Sequence, residues 1–218
     1  MENSYEPLDE TLGSGRQGPP WENPDAGDLF QRLWQTILLG IKEPAELFEN
    51  MRISGGLLQP LFFYAIIVGL ALIISLLLEL PFQLLLGTSA GEQFIGLIIF
   101  LVLLPILLPI GLFISAGLTH LALTLLGTAN QSFEATFRVN AYAYGTVGWV
   151  MAVPFCGSLI GFVWGIVLEV MGIARVHQVS TGQAAAAVLI PIAVIMVLGF
   201  CLAAVFGVAL VGLLSGSY

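Results

Sequence analysis

Charge is what this sequence has least of. Only 9% of its 218 residues are Asp, Glu, Lys or Arg and 58% are hydrophobic, against about 25% charged residues in soluble domains. With a mean hydropathy of +0.98, water could not solvate the surface and no single core could bury it, so a soluble globular fold is excluded. Basic residues are scarcer still. Six Lys and Arg against 14 Asp and Glu leave a net charge of −8, which argues against nucleic-acid binding. The two cysteines, Cys156 and Cys201, are too few and too apolar in setting for a disulfide framework or a metal site. Each is read as a small buried hydrophobe. There are two histidines, His120 and His177, no aspartate follows Asp28, and HExxH, GxSxG and phosphate-loop motifs are missing. His120, His177, Glu169 and the cysteines have no ligand spacing within one helix. These absences predict a protein that is not an enzyme and holds neither metal nor cofactor. The first long apolar run starts near Leu57, so no secretory signal is expected.

What charge there is lies mostly at one end. Residues 1–28 carry Glu2, Glu6, Asp9, Glu10, Glu22, Asp25 and Asp28 against Arg16, amid glycine and proline. That composition predicts a disordered, solvated acidic tail. Residues 29–56 then carry Leu29, Phe30, Leu33, Trp34, Ile37, Leu38 and Ile41 at helical spacing, with Gln31, Arg32 and Gln35 opposite. Pro44 can open a second short helix with Leu47, Phe48 and Met51 along one side. Both helices are expected to lie in the inner interface or under a bundle. Leu29, Phe30, Leu33, Trp34 and Phe48 form a candidate docking surface.

Apolar runs at about 57–78, 94–126, 133–153, 157–174 and 184–214 predict a five-transmembrane-helix bundle, an all-α integral membrane domain over 57–214. The second run is longer than one span and shorter than two. Pro105 and Pro109 could kink a single helix or build a re-entrant hairpin. With five crossings, all six basic residues (Arg16, Arg32, Lys42, Arg52, Arg138 and Arg175) share one side. The positive-inside rule then puts the amino terminus in the cytoplasm and the carboxyl terminus outside, in a cell inner membrane. Ser89 with Glu92, and Ser180 with Gln183, read as capping boxes before the second and fifth spans.

Glu169 stands inside an apolar run, ~9 Å of helix before Arg175. A charge so placed costs about 2–3 kcal/mol unless it pairs, protonates or reaches the interface. His120, Asn140, Tyr142 and Tyr144 fall at similar depth, so the five residues form a candidate polar cluster under the inner headgroups. Such a cluster can serve as a relay or headgroup pocket, or as a structural contact between helices. Arg175 and His177 close their helix at its negative pole. Gly157, Gly161 and Gly165 repeat every four residues as a helix-packing face, usable within one chain or in a homo-oligomer.

The stretch "SFEATFRVNAYAYGTVGWVMAVPFCGSLIGFVWGIVLEVMGIARVHQVSTGQAAAAVLIP" resembles the core of the Yip (Ypt-interacting protein) domain family, prokaryotic branch. The likeness lies in a "SF–T–R" entry, an "AYA" run, a turn centred on Pro154 and "G–H–S–G–A" before the final span. It covers about Leu29 to Pro191. The resemblance implies a five-span bundle with a cytoplasmic amino terminus. Eukaryotic relatives partner small prenylated GTPases in vesicle traffic and carry a "DLYGP" element, of which "GDLFQRLW" keeps Asp28 and Leu29, so no functional residue is carried across. The expected function is a non-enzymatic scaffold that binds membrane lipids and protein partners at the cytoplasmic face. The alternative is a small transporter or lipid-handling protein with a polar cavity at Glu169/His120.

Overall fold

Helix is what most of this chain can form, because a backbone in lipid must satisfy its own hydrogen bonds. The computed structural model describes residues 16–87 and 89–215, and the side chains of those up to 207. Two 3-10 turns, Pro20–Glu22 and Pro24–Ala26, precede α1 (Leu29–Lys42) and α2 (Pro44–Asn50). Long helices α3 (Leu58–Leu85) and α4 (Ala90–Leu125) follow, then α5 (Phe133–Gly148) with a 3-10 extension Trp149–Ala152. The last two are α6 (Gly157–Val176) and α7 (Thr181–Ser215). No strand occurs among the described residues.

Boundaries follow local chemistry. Asp28 caps α1 by accepting from Gln31 N at 2.8 Å, and Gln31 Oε1 accepts from Asp28 N at 3.2 Å. Pro44 fills the first position of α2. Ser89 with Glu92, and Ser180 with Gln183, form the expected boxes. α4 runs unbroken through Pro105 and Pro109, so the ambiguous segment is one helix and not a re-entrant hairpin. At 36 residues it is ~54 Å long, well beyond a ~30 Å hydrocarbon core.

Among the described residues four helices, not five, are long and apolar enough to cross a membrane: α3, α4, α6 and α7. The exception is α5, expected as a span over 133–153. It packs against α1, α3, α4 and α6, and 13 of its 16 residues are buried. A helix sheathed by protein on nearly every side needs no lipid-compatible surface, so its composition lacks the apolar signal of its neighbours. With its 3-10 extension it is still ~32 Å long.

Close approach makes that sheath possible. A Cβ on Gly145 would sit 2.6 Å from the Phe63 ring, and one on Gly165 would sit 2.5 Å from the Tyr144 ring. The face Gly157, Gly161, Gly165 packs against α5 and its extension, within the chain. Pro154 sits in the turn between these helices, where Cys156 N donates to Pro154 O at 2.8 Å. Cys156 and Cys201 are exposed rather than buried. On a membrane-facing surface a thiol meets lipid as readily as it would meet a core.

The expected solvated tail over 1–28 departs from the structure in its second half, while 1–15 lie outside the described residues. Residues 16–28 are seated on the bundle. Trp21 is buried, its Nε1 donates to Gln59 O at 2.7 Å, and its ring lies 6.0 Å from that of Phe63. One large aromatic anchor outweighs the polar composition around it.

Candidate functional site

Two helices, α4 and α5, bring polar groups to Glu169 of α6. Its Oε1 accepts from Thr119 Oγ1 of α4 at 2.8 Å and from Asn140 Nδ2 of α5 at 3.0 Å. Its Oε2 accepts from the Tyr144 hydroxyl at 2.9 Å. Asn140 Oδ1 in turn accepts from Ser115 Oγ of α4 at 2.9 Å. Glu169 is buried, and all three donors are neutral. Among the described residues no cation lies within ion-pair distance of it. Half-open space of about 390 Å³ adjoins the carboxyl, between α4, α6 and α7.

Of the five residues grouped from sequence, the structure brings together Glu169, Asn140 and Tyr144. Tyr142 and His120 go elsewhere. Successive helical residues step round by ~100°, so Tyr142, two positions from both Asn140 and Tyr144, points to the opposite side of α5. There its hydroxyl donates to Glu22, whose carboxylate also takes Arg138 Nη2 at 2.5 and 2.6 Å. Arg138 further donates from Nε to Arg52 O at 2.6 Å and from Nη1 to Gly56 O at 2.7 Å. The pair is almost completely buried, at 1% and 4% side-chain exposure.

His120 follows Thr119 and so faces a different neighbour. Its Nδ1 lies 2.9 Å from Thr136 Oγ1, and Thr136 Oγ1 lies 3.0 Å from His177 Nε2. His177 Nδ1 accepts from Gln131 N at 3.2 Å, and its carbonyl accepts from Asn130 Nδ2 at 2.8 Å. Thus His177 closes α6 as expected, and it is wholly buried, tying that helix end to the loop before α5. Burial, with His120 nearby, pushes its pKa down to about 4. Arg175 is exposed and pairs with Glu49.

The docking residues divide as well. Leu29, Phe30 and Trp34 are exposed, at 57%, 71% and 49%. Leu33 is half-buried against the core. Phe48 is fully buried beneath α6 and is no part of a surface, because it sits on the inner side of a two-turn helix clamped under the bundle.

Sequence reasoning missed Ser115, Thr119, Thr136, Glu22 and Arg138. A signal existed for the first three. Ser115 and Thr119 are four residues apart, and Thr136, Asn140 and Tyr144 continue at the same interval, each set marking one polar stripe on an otherwise apolar helix. Among the described residues no three of His, Cys, Asp and Glu gather closely enough to hold a metal ion.

Neither a curated protein nor a solved structure matches the chain. A family model described as the Yip1 domain matches residues 40–215, from the end of α1 to the end of α7. With that match spanning most of its length, and with four helices among the described residues able to span a membrane around a buried fifth, the chain belongs to the Yip1 domain family of multi-pass membrane proteins.

Proposed function

We propose that the protein is a non-enzymatic scaffold of the inner membrane, of the prokaryotic Yip branch, that binds partners or organises lipid through α1. The single observation that carries this is the mounting of that helix. Thr36, Ile37 and Gly40, toward the carboxyl end of α1, are buried, while Leu29, Phe30 and Trp34, in its first two turns, are left exposed by the bundle. An apolar row on a helix that cannot turn inward needs an external cover, either the headgroup–acyl boundary or a protein.

Charge supports the orientation. Arg16 bonds Met51 O, Arg138 bonds Arg52 O, and Arg175 pairs with Glu49, so these cations gather round α2 and the loop after it. We assign that end to the cytoplasm with the amino terminus, and, taking the protein-sheathed α5 as a crossing beside the four apolar helices, the carboxyl terminus to the far side. Because α5 occupies the glycine face of α6, a second copy of the chain would have to use another face.

A photoreactive amino acid at position 30 in intact membranes tests the reading. Ultraviolet-dependent adducts to a discrete protein or to lipid are expected, and Trp34→Glu should reduce them several-fold. A position that yields neither adduct is bare in the cell, and the scaffold reading then falls.

A further inference from the structure

The cavity beside Glu169 has a volume of about 390 Å³, within the ~300–1,000 Å³ usual for small-molecule sites. Its wall is largely apolar, with Leu118, Val188 and Ile192 prominent, and Tyr144 and Glu169 are among its few polar groups. Rim residues Ile114, Phe162 and Met196 are exposed and belong to helices apolar enough to span. The mouth therefore opens sideways to lipid, and its occupant has to come from the bilayer.

The chemistry of the inner end narrows that occupant further. Oε1 of Glu169 already accepts two hydrogen bonds, whereas Oε2 accepts only that of Tyr144. One position on the carboxyl is thus free. It lies ~10 Å of helix inside the end of α6, counting seven residues from Glu169 to Val176 at ~1.5 Å each. A phosphate drawn to that depth would lose its hydration beside a carboxyl that has no cation near it among the described residues, and an ammonium would be matched only by the ionised carboxyl. A hydroxyl has no charge to desolvate. It also both donates and accepts, so it meets Oε2 whichever protonation state the carboxyl holds.

We propose that this cavity binds a single-chain, hydroxyl-headed lipid taken laterally from the bilayer, with its chain along the α4–α7 wall and its hydroxyl on Glu169 Oε2. The site is independent of the α1 surface, and either can be lost without the other.

The test uses the full chain purified in detergent, with a photoreactive hexadecanol as probe and hexadecanol, hexadecane and hexadecyl phosphate as competitors. Adducts are expected on the α4 and α7 residues lining the cavity. Hexadecanol should compete about tenfold better than hexadecane, the factor that one hydrogen bond of about 1.4 kcal/mol supplies. Ile192→Trp, which fills the cavity and leaves Glu169 in place, should abolish the adduct while the melting temperature is kept. Glu169→Met with Tyr144→Phe should erase the preference for the alcohol in whatever fraction folds. Equal competition by hexadecane, equal competition by hexadecyl phosphate, or adducts that persist in folded Ile192→Trp would each overturn the proposal.

Discussion

At Glu169 the balance of donors decides what each substitution does. Three donors converge on one carboxyl, Thr119 and Asn140 buried and Tyr144 half-buried, and a buried donor left without an acceptor costs about 1–3 kcal/mol. Glu169→Ala strands all three, so a loss on the order of 3–5 kcal/mol is expected in thermal or denaturant unfolding in detergent. Glu169→Gln keeps an oxygen for Thr119 and Asn140 and turns its amide to the Tyr144 hydroxyl, which can accept, so its loss should stay near ~1 kcal/mol. Equal losses from the two would mean that the carboxyl is not the acceptor described here. His177 gives a pH signature of known sign. Its pKa is about 4 in the folded chain against 6.5 for the free group, so the unfolded chain binds the proton more readily. Stability is therefore full above pH 6.5, falls as pH drops toward 4, and levels off below that. Melting of wild type and His177→Gln between pH 4 and 7 checks this, and the wild-type curve should be the steeper. Much of this scale was legible. Glu169 declared itself as a lone acid in an apolar run, and Asn140 and Tyr144 lie one helical turn apart. Tyr142 and His120 were misplaced because similar depth was read without the ~100° step that separates neighbours round a helix.

Elements were read from two different signals, and one of them fails for a buried helix. Capping residues report on backbone groups and hold in any solvent, which is why Ser89–Glu92 and Ser180–Gln183 marked their helix starts. Hydropathy reports on contact with lipid, so it found α3, α4, α6 and α7 and overstated α5, whose surroundings are protein. The small residues that allow this sheath lead to a sharp contrast between two glycines. Gly165→Ala places a methyl 2.5 Å from the Tyr144 ring, which must push α6 from α5 or displace the hydroxyl bonded to Glu169. A loss of about 1–3 kcal/mol is expected from such overpacking. Gly96→Ala on α4 meets nothing within 4 Å and should melt like wild type. If both variants melt alike, the glycine face of α6 is not what sets the α5–α6 distance.

Across the whole molecule, the feature least legible from sequence is the link between its two ends of polarity: an acidic segment that composition marks as tail, and an arginine 116 residues further on. Glu22 belongs to a run of acids with nothing local to distinguish it, and only the fold brings Arg138 and Tyr142 to it. The link ties 16–28 to α5, and through Arg52 O and Gly56 O to the loop before α3. Removing one member of a buried ion pair leaves the other charge unpaired, at about 3–5 kcal/mol. Arg138→Met should therefore destabilise strongly, and should also expose residues 23–28 to protease as the segment lifts from the bundle. Adding Glu22→Gln removes the stranded charge, so the double variant should be more stable than the sum of the two single losses predicts, by at least ~1 kcal/mol. Should Arg138→Met melt like wild type with the segment still protected, Trp21 and the bonds of Gly18 and Arg16 to α2 and its end seat it, and the ion pair is a passenger of that packing.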